Sequence, residues 1–380
     1  VKFLLQRLKV DGPLDGATLG HMLRLLAAND VRDAHAWGLP RGRLRRLAKL
    51  LLIGARNSCL SLVTDLRFGA AVRAARVEAP VFVLGYWRSG TTHLHNLFAL
   101  DPRLACPNHY EVYHPRTFLL TEDQFRKTRE SANVSKREQD NVPSGPLTPA
   151  EDSFAVAALT IRSTHIGTVF PSNAARFERY LRFEGEPERH VDEWRNALGS
   201  FLRRLTVKYP GRTLVLKSPD HTARIKLLLD LFPDARFVHI HRNPFEVFQS
   251  AAHTGQVFGL VSQEWQAQID NILAKYVEVQ EAFFRERDLI PPDRFCEIAY
   301  DDLTADPIGR MRAIYDALRL PDFAEAEPAM RDYLASVSGY ARNDYAALDP
   351  VVVERITKAW RPYFEAWGYP TTPARASAHS

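Results

Sequence analysis

Apolar residues along this chain fall into two kinds of run. Short, nearly continuous blocks rich in Val, Ile, Leu and Phe stand at VFVL (81–84), TLVL (213–216), FVHI (237–240) and FCEIAY (295–300). Such blocks, bounded by turn residues, predict strands, with TLVL reading as a buried one. Between and after them, apolar positions recur three and four residues apart. This spacing occurs at about 151–160, 190–208, from Pro219 to near Phe232, after Asn243-Pro244, at about 262–286 and from 300 onwards. It predicts helices. Strands alternating with helices predict an α/β fold in which helices cover both faces of a parallel sheet.

Two stretches stand apart from that alternation. The run LRRLAKLLLIGARNSCLSLVTDL (44–66) has helical spacing interrupted at Arg56, Asn57 and Ser58, and predicts one or two amphipathic helices. Residues 1–78 are therefore expected to form a helical extension and residues 79–380 the main domain. Residues 121–150 are charged and then rich in Pro, Ser and Gly, which predicts a surface excursion. It is expected to end at a helix start capped by Thr148, with Glu151 three residues on. Glu151 and Asp152 then read as first-turn acids favoured by the helix dipole. No internal repeat or low-complexity tract is seen.

Composition narrows the class. With 380 residues, 46% hydrophobic and 25% charged, the chain can bury a full core, which excludes disorder. No apolar stretch approaches the ~18 uninterrupted residues of a membrane span, and VKFLLQRLKV has neither the core nor the cleavage site of a signal peptide. Cys59, Cys106 and Cys296 are widely spaced and form no CxxC pair, so neither a disulfide framework nor a cysteine zinc site is expected. With forty arginines against ten lysines, this composition points to a bacterial cytoplasmic protein.

The net charge of +5 is unevenly placed. Residues 1–78 carry fourteen Lys/Arg against six Asp/Glu, a net +8, while the remainder carries 36 against 39, a net −3. The basic, apolar extension is expected to pack onto the main domain, form a homodimer or touch a membrane surface. No reader motif accompanies it, so nucleic acid is not an expected partner.

The sharpest chemical feature is Gly85-Tyr86-Trp87-Arg88-Ser89-Gly90-Thr91-Thr92. Two glycines five apart, after a buried strand and before a helix, let backbone N–H groups close around phosphate oxygens. In a Walker A loop a lysine follows the second glycine; here Thr91 does, and the cation Arg88 lies inside the loop. A P-loop nucleotide or small-molecule kinase using ATP with magnesium is the alternative reading, and the missing lysine counts against it. Lys217, directly after TLVL, emerges at the carboxyl end of the sheet, where ligands of open α/β folds bind.

Arg88-Ser89-Gly90-Thr91-Thr92 resembles the 5′-phosphosulfate loop of the PAPS-dependent sulfotransferases, in the form of the broad bacterial group that includes the tyrosylprotein sulfotransferases. FVHIHRNPFEVFQS supplies Arg242 and Ser250 eight residues apart, similar to that family's 3′-phosphate motif. The resemblance extends through LKSPDHTARIKLLLDLFPDARFVHIHRNP and AYDDLTADPIGRMRAIYDAL, and covers about residues 79–370.

That resemblance implies PAPS as sulfuryl donor, a hydroxyl or amine acceptor, release of adenosine 3′,5′-bisphosphate, and no metal. It places Arg88, Ser89, Gly90, Thr91 and Thr92 on the 5′ side of the nucleotide. Arg242 and Ser250 fall on the 3′-phosphate, Tyr300 near the nucleotide, and Tyr340-Ala341-Arg342-Asn343 in a closing segment. An in-line displacement of this kind needs cations at the leaving phosphate, for which Arg88 and Lys217 stand, and a base at the acceptor. Glu111, in CPNHYEVYHP, lies at the spacing expected of a catalytic glutamate, with His109, His114 and His221 as rivals. The acceptor, a small molecule, carbohydrate or lipid, would be held by loops around 104–120 and 133–175.

Overall fold

The structure, a computed structural model, describes residues 14–29, 43–257, 265–338, 343 and 345–373. Helices α1 (Leu19–Ala28) and α2 (Arg43–Ala74) precede strand β1 (Val81–Leu84), which leads into α3 (Thr91–Phe98), the two-residue β2 (Leu104–Ala105), α4 (His109–Tyr113) and α5 (Phe118–Arg126). An antiparallel hairpin of β3 (Ser135–Lys136) and β4 (Pro143–Ser144) is followed by α6 (Ser153–Leu159), α7 (His165–Val169), α8 (Ala174–Glu178) and the long α9 (Glu188–Lys208). Then come β5 (Thr213–Lys217), α10 (Ile225–Leu231), β6 (Arg236–His241), α11 (Pro244–Val257), α12 (Trp265–Glu286) and β7 (Phe295–Ala299). Helices α13 (Tyr300–Ala305), α14 (Pro307–Ala317), α15 (Phe323–Ser336) and α16 (Pro350–Trp367) complete the described chain.

The sheet runs β2-β5-β1-β6-β7 with every neighbouring pair parallel. Alternation along each strand sorts the apolar block into two cores. Phe82, Leu216 and Phe237 face α9 through Trp194, Phe201 and Leu202. Val81, Val83, Val215 and Val238 face α3 and α14 through Leu94, Phe98 and Ile314. The four residues of β1 are wholly buried, which explains why no polar position interrupts the run. Because β1 lies at the centre of the sheet, its carboxyl end is flanked by those of β5 and β6, and the loops that leave these three strands share one rim.

The polar break expected in the first apolar stretch does not end the helix, since α2 runs for 32 residues through Arg56, Asn57 and Ser58. Asn57 is buried and donates to the carbonyls of Asp15 (2.5 Å) and Ala17 (2.9 Å), while Ser58 Oγ accepts from the amide of Leu19 (3.0 Å). These side chains satisfy the backbone that enters α1, so they belong to a helix–helix contact. Leu14, Met22, Leu25, Leu50 and Ile53 join the same core as Phe82 and Trp194.

Thr148 does not cap the helix that follows it. Its Oγ accepts from Gly145 N (3.0 Å) in a turn, Ala150 N bonds back to Pro107 O (2.8 Å), and α6 starts only at Ser153. Pro149 is held extended against Asn108, which delays the helix past Glu151.

Candidate active site

The glycine loop leaves β1 in a conformation only glycine tolerates at its ends. Gly85 (φ 149°) and Gly90 (φ 100°) both have positive φ. A Cβ at Gly85 would sit 2.6 Å from the carbonyl oxygen of Ile240, and one at Gly90 would sit 2.2 Å from the Tyr300 ring. Arg88 itself is left-handed (φ 73°), a strained conformation for a side-chain-bearing residue. Ser89 Oγ donates to Tyr86 O (2.7 Å) and Thr91 opens α3, so both stiffen the loop.

Residues far apart in sequence meet on this loop. Arg88 Nε donates to Ser250 Oγ at 2.8 Å, and Arg242 Nη1 donates to the Arg88 carbonyl at 3.2 Å. The Arg242 guanidinium stacks 4.5 Å over the Tyr300 ring, which itself lies on Gly90. Arg88, Ser250, Arg242 and Tyr300 therefore line one cavity, together with Asp140, Asn343 and Tyr345. Two cations, a hydroxyl, an aromatic face and a glycine-cradled helix start suit a phosphorylated nucleotide.

A stretch comprising residues 80–325 matches the model of the sulfotransferase family. The chain belongs to the sulfotransferase family. It is 33% identical over 321 residues to the omega-hydroxy-beta-dihydromenaquinone-9 sulfotransferase Stf3 of Mycobacterium bovis and of Mycobacterium tuberculosis, covering 82% of this chain and 81% of theirs. Among solved structures, sulfotransferase STF9 from Mycobacterium avium superposes with a TM-score of 0.62 at 22% identity, over 86% of each chain. STF1 from Mycobacterium tuberculosis gives 0.61 at 20% identity, over 92% of this chain and 94% of its own. The fold is thus that of the sulfotransferases, and the protein is a transferase.

The cavity of this sulfotransferase is nearly filled, because its free volume is about 50 Å³. That is space for a water or two, against the several hundred Å³ of an ordinary nucleotide site. Asp140 of the β3–β4 hairpin, with Asn343 and Tyr345 of the C-terminal segment, closes it. Asp140, at the hairpin tip, accepts from Arg88 Nη1 (3.0 Å) and from Arg137 Nε (2.9 Å). Burial raises the Asp140 carboxyl, but Arg137 and Arg88 hold it below the usual range. Asn343 Nδ2 ties Gln139 O to the C-terminal segment (2.9 Å), and Tyr345 Oη donates to Ser250 Oγ (3.2 Å). Of the expected closing segment, Tyr340, Ala341 and Arg342 lie outside the described residues.

A second cluster sits at the end of β5. Lys217 Nζ bonds Glu151 Oε1 at 2.6 Å; the lysine side chain is 3% exposed and that of Glu151 20%. Directly after Glu151, Asp152 is fully buried and accepts from His221 Nε2 (2.7 Å) and Ser218 Oγ (3.0 Å). Burial opposes ionisation of Asp152, yet these donors hold its carboxyl below the usual range. The sequence pattern predicts a pair of first-turn helix acids, but neither plays that part. Asp152 makes no capping bond, and its buried contacts to β5's outgoing loop fix Glu151 beside Lys217.

His109 completes the cluster from the other side. Its Nδ1 donates to Thr148 O (3.1 Å), which leaves Nε2 as the basic nitrogen. Burial and the charge of Lys217 lower its pKa, so the ring is neutral at pH 7. His109, Tyr113, Phe154 and His165 form a wall of successive ring contacts at 5.9, 5.7 and 4.6 Å.

Glu111 does not join this cluster. It is the third residue of α4, where its Oε2 accepts from Asn108 N (2.7 Å) in a capping box. Its Oε1 is taken by Tyr209 Oη (2.6 Å) and by Lys208, which also pairs with Glu122. The side chain is 0% exposed, so every partner it has in this structure belongs to the protein itself. His114 pairs with Asp15 (3.3 Å), and His221 is buried edge-on against Phe82 (5.2 Å). Of the three histidine rivals, His109 and His221 reach the Lys217 cluster, His221 through its bond to the buried Asp152, and His114 does not. Among the described residues no group of three or more His, Cys, Asp or Glu is placed to hold a metal.

Proposed function

We propose that this sulfotransferase takes its sulfuryl group from PAPS and passes it to a hydroxyl of a hydrophobic acceptor, releasing adenosine 3′,5′-bisphosphate. The observation that carries the donor assignment is the convergence of Arg88, Arg242, Ser250 and Tyr300 on the glycine loop. Arg242 and Ser250 hold the 3′-phosphate in this reading. The loop amides of Ser89 to Thr92 and the α3 terminus hold the 5′ end. Binding requires Asp140 to release Arg88 and the hairpin to withdraw.

The base is a carboxylate, and we assign it to Glu151 in place of Glu111. Glu151 is partly exposed and is anchored by Lys217 and by the buried Asp152 that follows it. Glu151 takes the acceptor's proton as the acceptor oxygen attacks sulfur in line. The bond from sulfur to the bridging oxygen breaks, and that oxygen keeps the electron pair. In this reading Arg88 and Lys217 attract the charge that builds on the leaving phosphate and on the sulfuryl oxygens, most strongly at the transition state.

Two observations support a hydrophobic alcohol as acceptor: the ring wall from His109 to His165, and the acceptor named for the mycobacterial relatives, an omega-hydroxy menaquinone derivative. The kinase alternative has no such support, since the family is one of sulfuryl transfer and Thr91 stands where a Walker lysine would.

Calorimetry tests the donor. Adenosine 3′,5′-bisphosphate is expected to bind far more tightly than 5′-AMP or ATP with magnesium, and Arg242→Ala to weaken it about 10- to 100-fold, the worth of a charge-assisted phosphate contact. Indifference to the 3′-phosphate would refute the assignment.

A further inference from the structure

A larger cavity, of about 390 Å³, lies between α1, α9 and the loop before α5. Arg24 of α1, Arg116 and Arg203 of α9 line it, and among the described residues none of the three has a hydrogen-bond or ion-pair partner. The one carboxylate on its wall, Glu193, is already paired with Arg162 at 3.1 Å. Asn196 and Ser200 share the α9 face with Arg203, at three-, four- and seven-residue spacings, and add neutral donors. The positive potential is felt by its neighbours. Burial, Arg204 and Arg24 all lower the Arg116 pKa, and burial together with Arg24 keeps His21 neutral, at about 3. Three guanidiniums with no direct ion pair among the described residues, around a cavity of ligand size, are a site for an anion with several acceptor oxygens.

The surface beside the cavity says where that anion resides. α2 exposes Leu52, Leu62 and Leu66 by 57%, 62% and 79%, with Cys59 and Val63 on the same stripe. Exposed Arg45, Arg67 and Arg73 lie along the same helix. The stripe adjoins the cavity: Asp65, between those leucines, accepts from Arg204 of α9 (2.9 Å) and is the carboxylate that acts on Arg116. The stretch Leu47–Ala74 is long and apolar enough to cross a membrane, but Leu50, Ile53 and Asn57 on its other face are held in the protein core. An apolar stripe flanked by cations, on a helix whose opposite face is anchored, suits a bilayer surface rather than its interior.

We propose that the Arg24–Arg116–Arg203 cavity binds the phosphate of an anionic phospholipid headgroup, with the Leu52–Leu66 stripe of α2 lying among the acyl chains beside it. The free phosphate of a soluble ligand shares the chemistry of the headgroup but gives the exposed leucines nothing to cover.

The test is flotation of the full chain with phosphatidylcholine vesicles, with and without phosphatidylglycerol. Calorimetry with adenosine 3′,5′-bisphosphate runs in parallel as an independent check of folding. The wild type is expected to float only with phosphatidylglycerol present. Arg116→Gln and Arg203→Gln should each lower partition about fivefold, and together about 30-fold, at unchanged nucleotide affinity. Leu62→Ser with Leu66→Ser should also release the protein. Should Arg116→Gln fail to fold, Arg24→Gln with Arg203→Gln carries the same comparison. Equal flotation with both vesicles, or arginine variants that float like the wild type, would overturn the proposal. So would a thermal shift with inorganic phosphate that depends on Arg203 while no vesicle is bound.

Discussion

Replacing Glu111 and Glu151 separately by Gln distinguishes a buried structural carboxylate from a catalytic one. Glu111→Gln keeps one carbonyl oxygen but turns an amide toward either the Asn108 N–H or the Lys208 ammonium, both of which now require an acceptor. Removing one partner of a buried ion pair costs about 3–5 kcal/mol. Lys208 keeps Glu122, so the lower end of about 3 kcal/mol applies. Unfolding entropy scales with chain length, which for 380 residues makes this a fall in Tm of about 4 °C. Turnover should stay within about threefold of wild type, because nothing at the reacting atoms has changed. Glu151→Gln should behave in the opposite way, with Tm nearly unmoved, nucleotide affinity kept and kcat reduced about 10²- to 10⁴-fold, the usual worth of a general base. Differential scanning fluorimetry and product formation with a hydrophobic alcohol read both quantities on the same preparations. A Glu111→Gln protein that melts normally but does not turn over, beside an active Glu151→Gln, would refute the argument.

Two further outcomes follow from the geometry. Asp140→Asn removes the carboxylate that competes for Arg88, so calorimetry should show adenosine 3′,5′-bisphosphate binding about 3- to 10-fold more tightly; weaker binding would mean that Asp140 positions Arg88 for the donor. Burial holds His21 and His95 at about 3 and His241 at about 4, well below their unfolded values near 6.5. The unfolded chain therefore takes up protons first, so their contribution is complete above pH 6.5 and shrinks as pH falls toward 4. The slope is about 1.4 kcal/mol per pH unit for each histidine once below its unfolded value. Denaturant midpoints that do not drop between pH 7 and pH 5 would contradict this.

Much of the molecule was legible in the chain, and for local reasons. The three central strands announced themselves because such a strand has no solvent face, and β1, β5 and β6 therefore read as nearly continuous apolar blocks. The glycine loop was equally plain: its two glycines are required by backbone geometry, and the Arg88 cation lies within the same eight residues. Arg242 and Ser250 form a spacing motif on one strand-turn-helix, so they too could be named without knowing what they touch.

What only the tertiary structure decided were pairings across long separations. Glu111 and Glu151 are both glutamates near a helix start, and no local property tells them apart. Lys208 and Tyr209, almost a hundred residues away, occupy the first, and Lys217 anchors the second, so that one is locked and the other available. Asp140 is an acidic residue in a polar hairpin until the fold sets it on Arg88, and the three arginines of the α1–α9 cavity are spread over 180 residues. Periodicity and spacing report what a residue does to its own helix or strand. Burial, charge pairing and exposure depend on which distant element packs against it, and in this chain that packing separates carboxylates and guanidiniums locked in buried pairs from those left partly exposed or lining a cavity.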